Sequence, residues 1–173
     1  SHGKQAEYIR FGLDYNQWYK NCEQFLSTIP NSDISIMTTY NAMSVPGYLG
    51  FLNDIAALKR KHNNRISVDT SYMANPQALT IDILTEDYLP VIYAQMRYIQ
   101  RLQEQGLFND WESLKIVRLH DYFVSRLSNP KKDLDMFRRD FAVFVDEHDR
   151  RRGTNFLETF PSMKGFYQLC KTS

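Results

Sequence analysis

The stretches Asp33-Ile-Ser-Ile-Met-Thr-Thr-Tyr40 and Arg65-Ile-Ser-Val-Asp-Thr70 decide the fold of this chain. Both alternate apolar with polar residues and are rich in β-branched side chains, as short strands are. Between them, apolar residues recur on one helical face: Tyr48, Leu49, Phe51, Leu52, Ile55, Ala56 and Leu58. Strand, helix and strand within about forty residues predict a βαβ unit with parallel strands. Such a pair needs neighbours that cover its faces and edges.

The size and composition predict one α/β domain over residues 4–173. The chain has 173 residues and 14% aromatics, enough for a bulky core and too apolar for disorder. Within this domain we expect the βαβ part to cover residues 4–84 and a helical part to cover residues 85–173. A small parallel sheet of two to three strands, packed with helices, is therefore the predicted architecture.

The charge balance and cysteine usage narrow the function classes. The net charge of +1 gives no general attraction to nucleic acid or to an anionic membrane, so we expect neither as a partner. The two cysteines, Cys22 and Cys170, have no metal-ligand spacing. Lone thiols suit a reducing compartment, and a cytoplasmic location is predicted.

Helices are predicted on both sides of the βαβ unit. The apolar spacing indicates a helix over residues 8–27, with Asp14 as a candidate N-cap, and a second from about Ser44 to Lys61. Residues 79–83 alternate, which indicates a third short strand or an extended arm. The remaining expected helices run over residues 87–105, from a cap at Asp110 to residue 127, from Asn129-Pro130 onward, and from Pro161 to the end.

No complete catalytic motif is present. The seven glycines form neither a GxGxxG nor a Walker loop, and the histidines are isolated from one another. Polar residues do follow both predicted strands: Thr38, Thr39, Tyr40 and Asn41 after the first, and Asp69, Ser71 and Tyr72 after the second. The carboxyl ends of parallel strands are where α/β folds bind ligands, although the same residues could simply cap the next helix.

Three arginines, Arg150, Arg151 and Arg152, precede Gly153 at a predicted helix end. Guanidinium groups fit carboxylates and phosphates, so anion binding is one interpretation. A solvated helix end and an inward salt-bridge network are the alternatives. No metal site is predicted here or elsewhere.

Several phrases of the sequence resemble radical SAM proteins that carry a twitch or SPASM-like C-terminal region. The similar segments are Glu7-Tyr-Ile-Arg-Phe-Gly-Leu-Asp-Tyr15 followed by Asn21, Asn75-Pro-Gln-Ala-Leu-Thr-Ile-Asp-Ile-Leu84, and Asp149-Arg-Arg-Arg-Gly-Thr-Asn-Phe-Leu-Glu-Thr-Phe-Pro161. The closing phrase is the most specific of them. The resemblance implies that the βαβ unit forms two adjacent strands of a partial TIM barrel, in the C-terminal half of such a protein.

The chain departs from this family in its cysteines, because those of the twitch region are missing and Cys22 and Cys170 match no cluster pattern. The CxxxCxxC motif that holds the family's [4Fe–4S] cluster is absent. A cluster needs its thiolates, so S-adenosylmethionine and the cluster are expected only in a full-length relative, and no catalytic residue is assigned. The resemblance implies a cavity lined by Thr39, Asn41, Asp69 and Tyr72, with Arg10 in support.

Two main functional hypotheses follow. In the first, the chain is the non-cluster portion of a radical SAM-like enzyme, inactive by itself, and an upstream cluster-bearing half is its partner. In the second, it is a non-catalytic assembly module that forms a homodimer through open sheet edges. Nucleic-acid binding through Arg150–Arg152 is a third and weaker interpretation. The sequence leaves open whether the chain is an enzyme.

Overall fold

The computed structural model describes all residues from Ser1 to Ser173. Two strands form the sheet, β1 (Ile34–Tyr40) and β2 (Ile66–Tyr72). The α-helices are α1 (Gly3–Ile9), α2 (Tyr15–Thr28), α3 (Tyr48–Lys61), α4 (Leu89–Glu104), α5 (Asp110–Ser128), α6 (Leu134–Arg152), α7 (Phe156–Thr159) and α8 (Lys164–Thr172). The protein is thus helix-rich with a small sheet, which confirms the predicted mixed α/β class.

The two strands are parallel, as the sequence predicts for a βαβ unit. Their register runs from Ile34 opposite Ile66 to Tyr40 opposite Tyr72. At one end the Ile34 N–H donates to Arg65 O at 3.0 Å, and at the other the Met73 N–H donates to Tyr40 O at 2.8 Å. The ladder therefore uses the even-numbered residues of β1 and the odd-numbered residues of β2.

One face of the sheet packs on α3. The even-numbered side chains of both strands point to this face, where the Tyr48 hydroxyl lies between Thr38 and Thr70. One contiguous core of 35 buried apolar residues includes this layer and extends from Tyr8 to Cys170. The sheet and the C-terminal helices are therefore parts of the same core.

The outer edge of β2 is closed by α5. The carboxylate of Glu112 accepts a hydrogen bond from the Val68 N–H at 2.9 Å and lies 3.0 Å from the Lys59 ammonium. The side chains of Lys59 and Glu112 are only 3% and 2% exposed. A further strand cannot pair here, because α5 occupies its place.

The third strand, one of the two structures predicted for residues 79–83, does not form. Residues Gln77–Leu79 and Ile81–Ile83 form two 3-10 turns instead, and Ile81, Asp82 and Ile83 are all buried. A strand with one solvated face would show alternating burial. The segment packs against α5 and α6 instead of pairing with a strand.

Helix boundaries differ from the sequence predictions at several places. The helices expected from Ser44, residue 87 and Pro161 begin at Tyr48, Leu89 and Lys164, each after a 3-10 turn. The helix expected over residues 8–27 is two helices, because the chain turns at Gly12 with a φ of 79°. Asp14 caps α2 as predicted, accepting from the Gln17 N–H at 2.9 Å. Asn109, rather than Asp110, caps α5 in a capping box. The helix expected from residue 129 begins at Leu134.

None of the helices combines the length and the apolar character needed to cross a membrane.

Candidate functional site

A groove of about 620 Å³ runs beside β1 and collects three of the predicted site residues, Arg10, Thr39 and Asn41. One wall is formed by β1 and the other by α1, α2 and the turn that joins them. The further lining residues are Ala6, Ile9, Leu13, Tyr15, Trp18, Ile36, Met37, Thr38, Ser44, Phe51, Met73 and Ser1. The groove is therefore mainly apolar, with polar groups at the carboxyl end of β1.

Asn41 has a structural role in this groove. Its buried side chain accepts from the Ser44 N–H at 3.0 Å and from the Ser44 hydroxyl at 3.1 Å, and so caps the 3-10 turn Ala42–Gly47. Capping was the alternative explanation for the polar residues after β1, and it holds for Asn41. Thr39 and Arg10 are exposed, so both can contact a molecule in the groove.

The edge of β1 that borders the groove has unpaired backbone groups. Because the ladder to β2 uses the even-numbered residues, the N–H and C=O groups of Ser35, Met37 and Thr39 point away from β2. None of the hydrogen bonds outside the ladder includes them. The Met37 side chain is 81% exposed, and Phe11 at the turn before α2 is 80% exposed.

Asp69 and Tyr72 do not belong to this groove; they face α5. The Asp69 carboxylate pairs with the Lys115 ammonium at 3.1 Å, and that ammonium lies 4.3 Å from the Trp111 ring centre. The Tyr72 ring stacks on Tyr122 at 4.8 Å. The predicted cavity residues are thus divided between two places.

The Tyr72 stack continues into a polar cluster that the sequence did not reveal. The Tyr122 hydroxyl donates to Asp82 at 3.1 Å, and Lys131 lies 2.6 Å from the same carboxylate oxygen. Burial, and then the hydrogen bond to Asp82, raise the pKa of Tyr122. Since its contacts bring together β2, a 3-10 turn, α5 and the loop before α6, this cluster fixes the helical layer to the sheet.

Two of the three arginines at the end of α6 are already paired. Arg150 and Arg151 both bind Glu147, and these hydrogen bonds lower the pKa of that exposed carboxyl to about 2. Arg152 reaches the Tyr8 carbonyl at 3.5 Å and the Phe11 ring. This arrangement corresponds to a partly solvated helix end that also contacts the N-terminal helix, so anion binding has no support from these contacts.

The face of the sheet opposite α3 is largely uncovered. The side chains on this face are Ser35, Met37 and Thr39 from β1 and Ser67, Asp69 and Ser71 from β2. All three from β1 and Ser71 are exposed, and Lys115 is the one α5 side chain paired with a carboxylate there. A polar face of this kind can line a cavity or receive another layer of protein.

Comparison with known proteins gives no relative: no family model, curated protein or solved structure matches this chain. The resemblance to radical SAM proteins therefore stays a prediction from the sequence.

Proposed function

We propose that this chain is the non-cluster portion of a radical SAM-like enzyme. In this role β1 and β2 form part of the wall of a partial parallel barrel, and the C-terminal helices close over the substrate. The chain is inactive by itself, and its partner is the polypeptide segment that carries the CxxxCxxC loop. Two observations support the proposal. One is the set of sequence segments that resemble this family, and the other is the uncovered face of the sheet.

The uncovered face of the sheet is the observation that carries this proposal. Parallel sheets occur almost only with both faces covered, because their crossover connections place protein on each side. Here one face packs on α3, while the other exposes Met37, Thr39 and Ser71. A barrel interior is the environment in which such a face meets a substrate and further strands.

The residues of this chain do not fit an iron–sulfur cluster. Cys22 on α2 and Cys170 on α8 are both buried, and burial raises the pKa of the Cys170 thiol to about 12. A [4Fe–4S] cluster is held by several thiolates that lie close together. The cluster and S-adenosylmethionine must therefore come with the partner segment, and no catalytic step is assigned to a residue of this chain.

Co-expression with a candidate partner polypeptide that carries a CxxxCxxC loop tests the proposal. We expect a stable complex that contains iron and sulfide and cleaves S-adenosylmethionine. The variant Met37→Lys places a charge on the uncovered face and should abolish the complex. The matched control is Val143→Lys, since Val143 is 66% exposed on α6, away from the sheet. This control should leave the complex intact.

Two results would count against the proposal. One is the absence of any complex although both polypeptides are folded. The other is a complex that Met37→Lys and Val143→Lys affect equally, because the sheet face would then have no role in assembly.

The second candidate function is an assembly module that pairs with its own copies. It is favoured by the absence of charged residues in β1, since two copies of this strand can approach without repulsion. Light scattering of the purified chain distinguishes the two functions. A dimer that Met37→Lys converts to a monomer supports self-assembly, whereas a monomer at high concentration excludes it.

A further inference from the structure

We infer that the edge of β1 and the adjoining groove form a strand-addition site for one extended segment of another polypeptide. This inference rests on the proposed function, because the cluster-bearing segment is the expected donor of the strand. It adds which edge is used, which backbone groups bind, and what side chains the incoming strand needs.

The backbone of β1 is ready to pair on its outer side. Ser35, Met37 and Thr39 offer three N–H donors and three C=O acceptors along one edge. Their spacing of two residues is the spacing at which a neighbouring strand places its own outward groups. Strand addition binds through such main-chain hydrogen bonds and gains specificity from pockets for alternate side chains.

The groove supplies those pockets. Trp18 of α2 and Phe51 of α3 line it with rings 6.2 Å apart, and Ile36 and Thr38 line it from β1. Alternate side chains of an added strand would point toward these residues, and the others toward the uncovered face beside Met37. The incoming segment therefore needs large apolar residues on one side and small or polar residues on the other.

The edge of β1 lacks the devices that normally prevent strand pairing. Proteins protect a free edge with lysine, proline, a bulge or a covering helix. β1 contains no charged residue and no proline, and pairs with β2 without interruption. The edge of β2, in contrast, is covered by α5 and Glu112. Only β1 is left open to a partner strand.

The occupant is a segment without a helix of its own, rather than a second copy of this chain. A second copy could offer its β1 only together with the α3 helix that packs on it, and α1 and α2 already form the far wall of the groove. Arg10 adds a charge preference. It is exposed at the groove, and none of the ion pairs of the structure includes it. An acidic residue of the incoming strand would pair with it.

Amide hydrogen exchange measured by NMR tests this site directly. The probe is a synthetic eight-residue peptide that alternates leucine with threonine, carries one terminal aspartate and is blocked at both ends. At about ten times its Kd, exchange at Ser35, Met37 and Thr39 should slow about tenfold, because only the free fraction exchanges. Exchange at Val68, already bonded to Glu112, should not change.

Variants separate backbone pairing from a general surface effect. Met37→Pro removes one outward N–H, and proline is tolerated at an edge where the N–H faces solvent, so peptide protection should be lost. Ser35→Pro tests a second outward N–H if Met37→Pro does not fold. Arg10→Gln should weaken the aspartate peptide severalfold and leave a peptide that ends in asparagine unchanged. The control Arg151→Gln, at the end of α6, should affect neither.

The outcomes are distinguishable from those of the proposed function. Unchanged exchange at Ser35, Met37 and Thr39 with the peptide, or in a cluster-bearing complex that does form, would overturn the strand-addition site. Protection that rises with the concentration of this chain alone would identify a second copy as the occupant and overturn the assignment of a separate extended segment. Peptide protection without any complex would support the site and reject the radical SAM assignment.

Discussion

The two edges of the sheet differ in whether their outward backbone groups have hydrogen-bond partners. At β2, the Glu112 carboxylate accepts a hydrogen bond from the Val68 N–H and forms an ion pair with Lys59. Both side chains are buried. At β1, three N–H and three C=O groups meet a groove and solvent. Both strands have similar sequences and seven residues each, so the difference arises from what the rest of the chain places beside them.

The chain therefore covers its sheet at the β2 edge and leaves the β1 edge uncovered. A buried charge is costly unless it is paired and hydrogen-bonded, and the Glu112 site meets that condition with Lys59, the Val68 N–H and the Asn109 N–H. No comparable group is provided for β1. In our proposal, the β2 edge is the boundary of the fold and the β1 edge is the one that pairs with a partner strand.

The largest predicted effect is the loss of the closed edge. Glu112→Ala leaves the Lys59 ammonium buried without a counter-charge and the Val68 N–H without an acceptor. We expect the free energy of unfolding to fall by about 3–5 kcal/mol, the typical cost of breaking a buried pair. Urea denaturation measures it.

Glu158 offers a matched control for that variant. It occupies the same position in an Asn-x-x-Glu capping pattern with Asn155, but it is exposed. Glu158→Ala should change the free energy of unfolding by about 0.5 kcal/mol. Similar losses for the two variants would show that capping, and not closure of β2, explains the role of Glu112.

How well the sequence predicts the contacts at the two sheet edges depends on how far apart the interacting residues lie along the chain. The strands, the helix between them and the Asp14 cap depend on neighbouring residues, and all three were predictable. Glu112 was recognisable at most as a capping residue, because its bond to Val68 spans 44 positions. Asp69 is one of the polar residues predicted near the end of a strand, but its partner Lys115 belongs to a helix whose placement only the fold decides.

The same reasoning explains the division of the predicted site. Thr39 and Tyr72 both lie near the carboxyl ends of parallel strands, which places them at one end of the sheet. Whether they share a cavity depends on the neighbours, and α5 draws Tyr72 into a stack with Tyr122. Periodicity identifies the end of the sheet, but it does not reveal which helix covers it.

A double substitution should restore most of the stability lost at β2. In Lys59→Met with Glu112→Gln, the amide oxygen can still accept from the Val68 N–H, and no charge remains buried. Replacing a buried ion pair with neutral groups is often nearly neutral. We expect a free energy of unfolding within about 1 kcal/mol of the wild type. A loss as large as that of Glu112→Ala would mean that the charges themselves, rather than the hydrogen bond, close the edge.

High pH should lower the stability of the fold by ionising the Tyr48 hydroxyl, which joins the two strands through Thr38 and Thr70. Tyr48 lies under both strands, and burial raises the pKa of its hydroxyl from 10.0 to about 12. The native state keeps this proton while the unfolded chain releases it, so its contribution is complete below pH 10 and is lost as the pH rises through 12. In Tyr48→Phe, stability should decline less steeply between these values. The variant should cost about 1 kcal/mol at pH 7, because Thr38 and Thr70 can still bond each other at 3.2 Å. An unchanged alkaline slope would show that other buried tyrosines dominate.

The smallest predicted effect belongs to the open edge. Met37→Lys should change the free energy of unfolding of the isolated chain by no more than about 0.5 kcal/mol, because the side chain is 81% exposed and packs against little. Thermal and urea denaturation of the variant beside Val143→Lys would measure this. A larger loss would mean that β1 is already covered in the isolated chain and that its edge is not free. A negligible loss, together with the failure of the same variant to bind its partner, would show that the surface around Met37 contributes to association and not to folding.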